Sequence, residues 1–378
     1  MEDLFMNILV LGNGFDLAHG LPTTYKDFLD FTDAFIKYRD ERRTLGVEVP
    51  VEENEKKFIP YLIELFKRKS TDAEAQKNIS EIEECIEDNM WIAHFKTVKI
   101  AQGWIDFESE IARVIQTLDD VRIQTRDSLR LHLKSEKMTP YQIAVLKPFI
   151  GQASFFTSMA RIDSLKDELL DDLNKLIRCL EIYLCDYVER IPIEKKLPDI
   201  EALDIDAVVS FNYTDTYRAN YISDPEKEVK CDFIHGRAEI SHNKKTSRLV
   251  IGIDEYLEGS AREADNEYIQ FKKFFQRIYK GTGCDYVDWL EAPQNSSEEE
   301  QSQPILNIYI YGHSLDVTDK DVLKALITAE NAKTTIFYHS QKALEQQIIN
   351  LVKVITEDEL IRRTGGMHRS IKFQPITE

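Results

Sequence analysis

The sequence predicts a parallel α/β sheet with a large all-helical lobe inserted after its first strand. Ile8 to Leu11 is an apolar run that breaks at Gly12-Asn13-Gly14 and feeds a helix-forming segment, as a buried parallel strand entering a glycine turn does. Beyond Ile205, short β-branched runs alternate with helical patterns, the signature of a sheet built from βα units. Between these regions the periodicity is helical, so the first strand can find partners only in the C-terminal half. The expected division is therefore 1–26 plus 201–378 as the sheet domain and 27–200 as the helical subdomain.

Taken in order, the helical region opens with Phe28, Phe31, Ala34, Phe35 and Tyr38 at spacings of three and four, one face of a helix, before a charged stretch from Arg39 to Glu55. Phe58 to Phe66 and Ile79 to Ile92 give two further amphipathic segments. Trp104, Phe107, Ile111 and Val114 share the next face, with Asp106, Glu108 and Glu110 directed away from it, as solvated carboxylates commonly are. Residues 139–160 form an apolar stretch broken by Pro140, Pro148 and Gly151. A leucine stripe from Leu165 to Leu184 and Tyr187 then marks a long core or interface helix, with Asp163 or Ser164 available as its cap. Strands are expected at Ala207–Phe211, Val229–Ile234, Leu249–Ile253, Ile305–Tyr311, Thr334–Tyr338 and Ile371–Phe373, separated by helices.

Composition narrows the function. A net charge of −19 opposes coating of a nucleic-acid backbone. Five cysteines, scattered and without a C-x-x-C pair, indicate neither a disulfide framework nor a zinc ribbon. The N-terminus lacks the charged and apolar regions of a signal peptide, and no run is long enough to span a bilayer, so a soluble cytoplasmic protein is expected.

Chemistry-bearing residues gather at the ends of expected strands, where open parallel sheets place their ligands. Glycines at 12 and 14 let a ligand approach bare main chain, and the amides opening the next helix favour an anion. The dinucleotide fingerprint is not met, because its third glycine falls on Leu17, and a bare G-x-G pair is also what a tight structural turn looks like. Gly20-Leu21-Pro22 adds a second turn, anchored by Tyr25. Ser210-Phe-Asn-Tyr-Thr-Asp215, Ile234-His-Gly236 and Tyr311-Gly-His-Ser-Leu-Asp316 follow three more strands. By itself, Asn212 is a turn residue, His235 an ordinary histidine and Gly312 a turn glycine. Together these stretches outline one pocket rim.

The stretches Gly12 to Tyr25, Ser210 to Tyr217, Phe233 to Gly236 and Tyr311 to Asp319 resemble the AbiH family of bacterial abortive-infection, phage-defence proteins, nearly end to end. More distantly, the same landmarks are similar to the sirtuin-like, Rossmann-like NAD-binding fold. That second resemblance implies NAD or a related nucleotide as ligand, without a metal. It places the catalytic roles on Asn212 and His235 and nucleotide contacts on Gly12, Asn13, Gly14, Phe15, Asp16, Gly20, Pro22, Tyr25, Gly312, His313 and Ser314. Thr214 and Asp16 depart from the sirtuin pattern, and its four-cysteine zinc module is missing, which argues against protein deacetylation.

The implied reaction is hydrolysis of the nicotinamide–ribose bond. An amide such as Asn212 would place water against the oxocarbenium-like ribose, and an imidazole such as His235 would act on that water or a ribose hydroxyl. Asn13, Gly14 and the amides that follow would take the pyrophosphate, His313 or Ser314 a ribose or phosphate oxygen, and Asp16 either a ribose hydroxyl or the helix cap. Two alternatives stand beside it. One is a non-catalytic nucleotide sensor that relays binding to a partner, a phage-derived trigger or a second copy among the possibilities. The other is a metal-dependent nuclease using Asp106, Glu108 or Glu110 with His313 or Asp316.

Overall fold

The computed structural model describes residues 5–43, 52–102, 106–130, 138–150, 159–222, 224, 226–257, 259, 265–290, 305–367 and 369–377. The chain divides into two compact units. One comprises Met1–Thr23, Glu189–Arg237 and Gly281–Glu378, and the other Thr24–Val188 and Ala238–Lys280.

The first unit holds a six-stranded sheet of order β3-β2-β1-β4-β5-β6. Its strands are β1 (Phe5–Leu11), β2 (Ala207–Ser210), β3 (Lys230–Phe233), β4 (Ile305–Tyr311), β5 (Ala332–Tyr338) and β6 (Ile371–Pro375), all pairing in parallel. Both faces are covered, which is why the strands read as continuous apolar runs. Ile8, Val10, Val209, Ile308 and Ile310 pack on one face with α13 (Lys320–Thr328), α14 (Gln341–Ile355) and α15 (Glu357–Thr364). Leu9, Leu11, Val208 and Tyr311 pack on the other with α1 (Gly14–Ala18), α9 (Pro198–Glu201) and α10 (Thr216–Tyr221).

Register fixes where the loops emerge. Leu11 pairs with both Ser210 and Tyr311, and Ser210 pairs with Phe233, so the chain leaves β1, β2, β3 and β4 at one level of the sheet.

The second unit contains α2 (Tyr25–Arg43), α3 (Ile59–Arg68), α4 (Ala73–Ile86), α5 (Met90–Gln102), α6 (Phe107–Arg130), α7 (Pro140–Ile150) and α8 (Met159–Ile182). α8 passes into a π-helical turn at Tyr183–Tyr187. Phe28, Phe31, Phe35, Phe58, Trp91, Phe95, Phe107 and Tyr183 are fully buried within it. The segment expected as one helix from Ile79 to Ile92 is two, because Asp88 takes a left-handed φ of 52° and the Asn89 side chain accepts the Ile92 amide at 3.0 Å, starting α5 afresh. α8 begins at Met159, so Asp163 and Ser164 lie inside the helix and do not cap it. Trp104 and Gly151 lie outside the described residues.

Two expectations for residues 238–280 change. Leu249–Ile253 makes an isolated bridge, Ile253 with Lys272, in place of a sheet strand. Its apolar run reflects burial, which marks a packed loop as readily as a strand. The segment also clusters with the helical unit, where a buried charge network secures it. Arg178, 1% exposed, donates to Glu81 and Glu181 at 2.8 Å each and to the Ile240 carbonyl at 3.2 Å. Glu181 in turn accepts the Glu239 amide at 3.3 Å and the His242 Nδ1–H at 2.7 Å. α11 (Lys273–Lys280) closes this segment, and α12 (Tyr286–Leu290) belongs to the sheet unit.

Candidate functional site

Gly12 and Gly14 pack backbone against backbone with the turn after β4. A side-chain carbon at Gly12 would sit 2.6 Å from the His313 Cα, one at Gly14 2.7 Å from the Gly312 Cα, and one at Gly312 2.3 Å from the Phe15 nitrogen. Their amides are engaged as well. The Gly12 N–H donates to the Tyr311 carbonyl at 3.0 Å, Gly14 to Gly312 at 2.8 Å and Phe15 to Gly12 at 2.9 Å. These N–H groups are therefore not donors waiting for a phosphate, and the glycine pair is accounted for by loop packing.

α1 carries the rest of the first motif. Phe15 is fully buried, its ring 4.6 Å from His19, 5.8 Å from Tyr221 and 6.1 Å from Tyr311, a core anchor. His19 Nδ1–H donates to the Phe15 carbonyl at 2.7 Å, which leaves Nε2 to accept the Tyr221 hydroxyl at 2.8 Å. Burial holds the His19 pKa below its usual value despite that carbonyl. Asn13 is exposed and accepts the Thr23 hydroxyl at 2.6 Å. Gly20 is exposed at φ 74°, and Pro22 is half-buried two residues on. Tyr25 belongs to the other unit, where it stacks on Phe107 at 4.1 Å.

Asp16 lies inside α1, does not cap it, and is 1% exposed. Its Oδ2 accepts the Thr214 hydroxyl at 2.6 Å, and Thr216 donates to Thr214 at 3.1 Å. Burial pushes the Asp16 carboxyl up to about 6, against the lowering effect of the Thr214 hydroxyl bonded to it and of the nearby Thr216 and Asn212 side chains. Asp16 Oδ1 and Asn212 Oδ1 are buried acceptors with no hydrogen-bond partner among the described residues. Asn212 and Thr214 line a cavity of about 10 Å³, room for a single water, together with Leu11, Phe15 and Val208.

A second polar group lies on the opposite face of the β2 tail. Phe211 packs with Ile234 and Leu315, away from Leu11 and Val208, because alternate residues point to opposite faces. The His313 ring stands 4.3 Å and the His235 ring 5.6 Å from Phe211. Asp319 joins the two. His235 Nε2 is 3.0 Å from its Oδ1, and His313 Nε2 is 3.4 Å from its Oδ2. His313 Nδ1 accepts the Leu315 amide at 2.9 Å, with Leu315 held at a left-handed φ of 58°. Both His313 nitrogens thus face protein, while Ser314 is exposed and its carbonyl accepts Asn350 at 2.9 Å.

The loops after four strands therefore meet, and they bring together Gly12, Gly14, Asp16, Asn212, His235, Gly312 and His313. Asn212 and His235 fall in separate groups on either side of Phe211. Asp319 is the site residue that the sequence reading missed, although it ends the stretch Tyr311 to Asp319.

This set of motifs can now be placed. The family model described as bacteriophage abortive infection AbiH matches residues 8–339. The chain belongs to the AbiH family. No curated protein matches it. The matched span takes in all four AbiH loops described above.

The carboxylates of α6 in this AbiH chain have structural partners. Asp106 caps the helix, accepting the Glu108 amide at 3.0 Å and the Ser109 hydroxyl at 2.7 Å. Glu108 pairs with Lys273 at 2.7 Å, and Glu110 with His94 at 3.1 Å and with Arg113. Among the described residues no group of three or more His, Cys, Asp or Glu side chains could hold a metal ion. No helix among them is long and apolar enough to cross a membrane.

Proposed function

We propose that this AbiH protein serves phage abortive infection by hydrolysing an N-glycosidic bond of NAD or a related nucleotide on its Rossmann-like sheet, with His235 as general base. The observation that carries the reading is His235 with Nε2 against the Asp319 carboxylate, at the carboxyl end of a parallel sheet. A carboxylate accepts only, so Nε2 bears the proton and the lone pair falls on Nδ1, the arrangement in which a buried aspartate orients a catalytic imidazole.

In the reaction, water bonds to C1′ as the C1′–N bond breaks, nicotinamide departs with the bonding pair, and the water proton passes to His235 Nδ1. Asn212, across Phe211 from the histidines and lining a cavity with room for a single water, takes no part in the step in this reading. The pyrophosphate finds no donors at Gly12, Gly14 or Phe15, whose amides are engaged, so it lies off the glycine turn in this reading.

Incubating the protein with NAD and measuring free nicotinamide tests the proposal. His235→Ala should lower turnover by about 10²- to 10⁴-fold, the range that a general base contributes. Wild-type protein that binds NAD tightly without releasing nicotinamide supports the sensor instead.

A further inference from the structure

His235 lies outside any strand or helix, in the turn that follows β3, so its backbone is set by whatever holds that turn. The Gly236 N–H closes the turn on the Phe233 carbonyl at 2.9 Å, with Gly236 at a left-handed φ of 79°. The Ile234 N–H donates to the Ser210 carbonyl at 2.8 Å, which ties the turn to β2. β3 ends the sheet, and among the described residues no strand pairs with it on its far side.

The segment that re-enters the sheet unit at Gly281 supplies a second hold. Thr282, half-buried, donates its hydroxyl to the same Phe233 carbonyl at 2.9 Å, so that oxygen accepts on both lone pairs. Gly283 is buried at φ 72°, and a side-chain carbon there would lie 2.4 Å from the Ile234 oxygen, 2.7 Å from its Cα and 2.9 Å from its carbonyl carbon. The Tyr286 N–H donates to the Asp232 carboxylate at 2.8 Å. Residues 282–286 thus grip three successive residues before His235, from which residues 238–280 of the helical unit separate them in the chain.

We infer that Thr282 and Gly283 are positioning residues for His235, holding the turn that aims its imidazole at the substrate. The inference rests on the proposed hydrolysis for its kinetic consequence only, because the hold on the turn exists without a substrate. A carbon added at residue 283 has to retreat by about 1 Å from the Ile234 backbone to reach ordinary contact, and His235 is the next residue to move. An error of that size in a reacting group costs about 10²-fold in rate. Gly281 is the control, since its φ of 61° is likewise left-handed but a side-chain carbon there meets nothing within 4 Å.

The experiment compares Gly283→Ala, Gly281→Ala, Thr282→Val and Thr282→Ser by nicotinamide release and by ¹H–¹³C correlation of the histidine Cε1 positions. The signal lost in His235→Ala assigns His235. Gly283→Ala should lower kcat by about 10²-fold with KM within about twofold, and shift the His235 signal while His94, in the helical unit, keeps its own. Gly281→Ala should leave kcat within about twofold and the His235 signal in place. Thr282→Val should lower kcat by about 3- to 10-fold and move the His235 signal, whereas Thr282→Ser, which keeps the hydroxyl, matches the wild type in both. A His235 signal that stays in place in either Gly283→Ala or Thr282→Val overturns the inference, as does a Gly281→Ala variant that behaves like Gly283→Ala. The Thr282 pair decides even if Gly283→Ala fails to fold. Shifted signals with no turnover in the wild type would refute the activity and leave the positioning roles standing. Shifted signals with kcat unchanged would refute His235 as the base.

Discussion

Replacing Gly312 with alanine tests whether the glycine loops are held by packing. Gly312 has φ 71°, and a methyl there would lie 2.3 Å from the Phe15 nitrogen and 2.6 Å from the Gly14 carbonyl carbon, both backbone atoms. A left-handed alanine costs about 1–2 kcal/mol. Forcing two packed segments apart adds about 1–3 kcal/mol, and stretching the 2.8 Å bond from the Gly14 amide to the Gly312 carbonyl about 1 kcal/mol more. Together these predict a loss of about 3–6 kcal/mol, a large part of a typical domain's 5–15 kcal/mol.

Gly20 supplies the control, since its φ is 74° but a methyl there meets nothing within 4 Å. Gly20→Ala should cost only the backbone term, about 1–2 kcal/mol. Urea titration by circular dichroism gives both values, and amide exchange in β1 and β4 assigns the loss to the sheet unit. Equal losses in the two variants would refute the steric argument, and with it the claim that packing explains Gly12, Gly14 and Gly312.

Two further substitutions test the buried charges. Because burial holds the Asp16 carboxyl at about 6 while an unfolded aspartate titrates near 3.9, the folded chain binds the extra proton between those values. Stability from this group is therefore fully present below about pH 4 and is lost as pH rises through about 6, a change of about 3 kcal/mol. Asp16→Asn removes the titration while still accepting from Thr214, so its stability relative to wild type should improve by about that amount between pH 4 and pH 7 in paired urea titrations, and a pH-independent difference would show that Asp16 is not held as described. Arg178→Met leaves the fully buried Glu181 without its guanidinium and should cost about 3–5 kcal/mol in thermal or urea unfolding of the helical unit; a loss under about 1 kcal/mol would mean that the network does not hold residues 239–242.

Burial on both faces made the sheet legible. Ile8–Leu11, Ala207–Phe211 and Ile305–Tyr311 are apolar without alternation, as strands between two layers of helices must be, and each is a strand, the last two within a residue of their expected bounds and the first beginning earlier, at Phe5. The same criterion misled at Leu249–Ile253, because a short apolar run records burial and not hydrogen-bonding partners. Glycines were read as room for a ligand because sequence cannot show that the space beside Gly14 is filled by Gly312, some 300 residues on. Asp319 left no separate signal, because an aspartate just before α13 reads as an ordinary N-cap, and only the structure shows that its side chain makes no cap bond and meets His235 instead.

The AbiH stretch Ser210-Phe-Asn-Tyr-Thr shows how neighbouring positions can serve different ends. Alternation along the tail of β2 sends Phe211 to the histidines and Asn212 to the face of Leu11 and Val208, where Thr214 meets Asp16. One short segment therefore touches both polar groups, and a shift of the β2 tail would move Phe211 under the imidazoles and Thr214 against Asp16 together. Asp16 sits in α1, whose position is set by the glycine contact with the β4 turn, and that turn carries His313 and leads to Asp319. The two groups are thus tied mechanically through β2 on one side and the Gly14–Gly312 contact on the other. The unpartnered Asn212 Oδ1 on one face and the Phe211 ring beside His235 on the other are thus carried by adjacent residues of one segment.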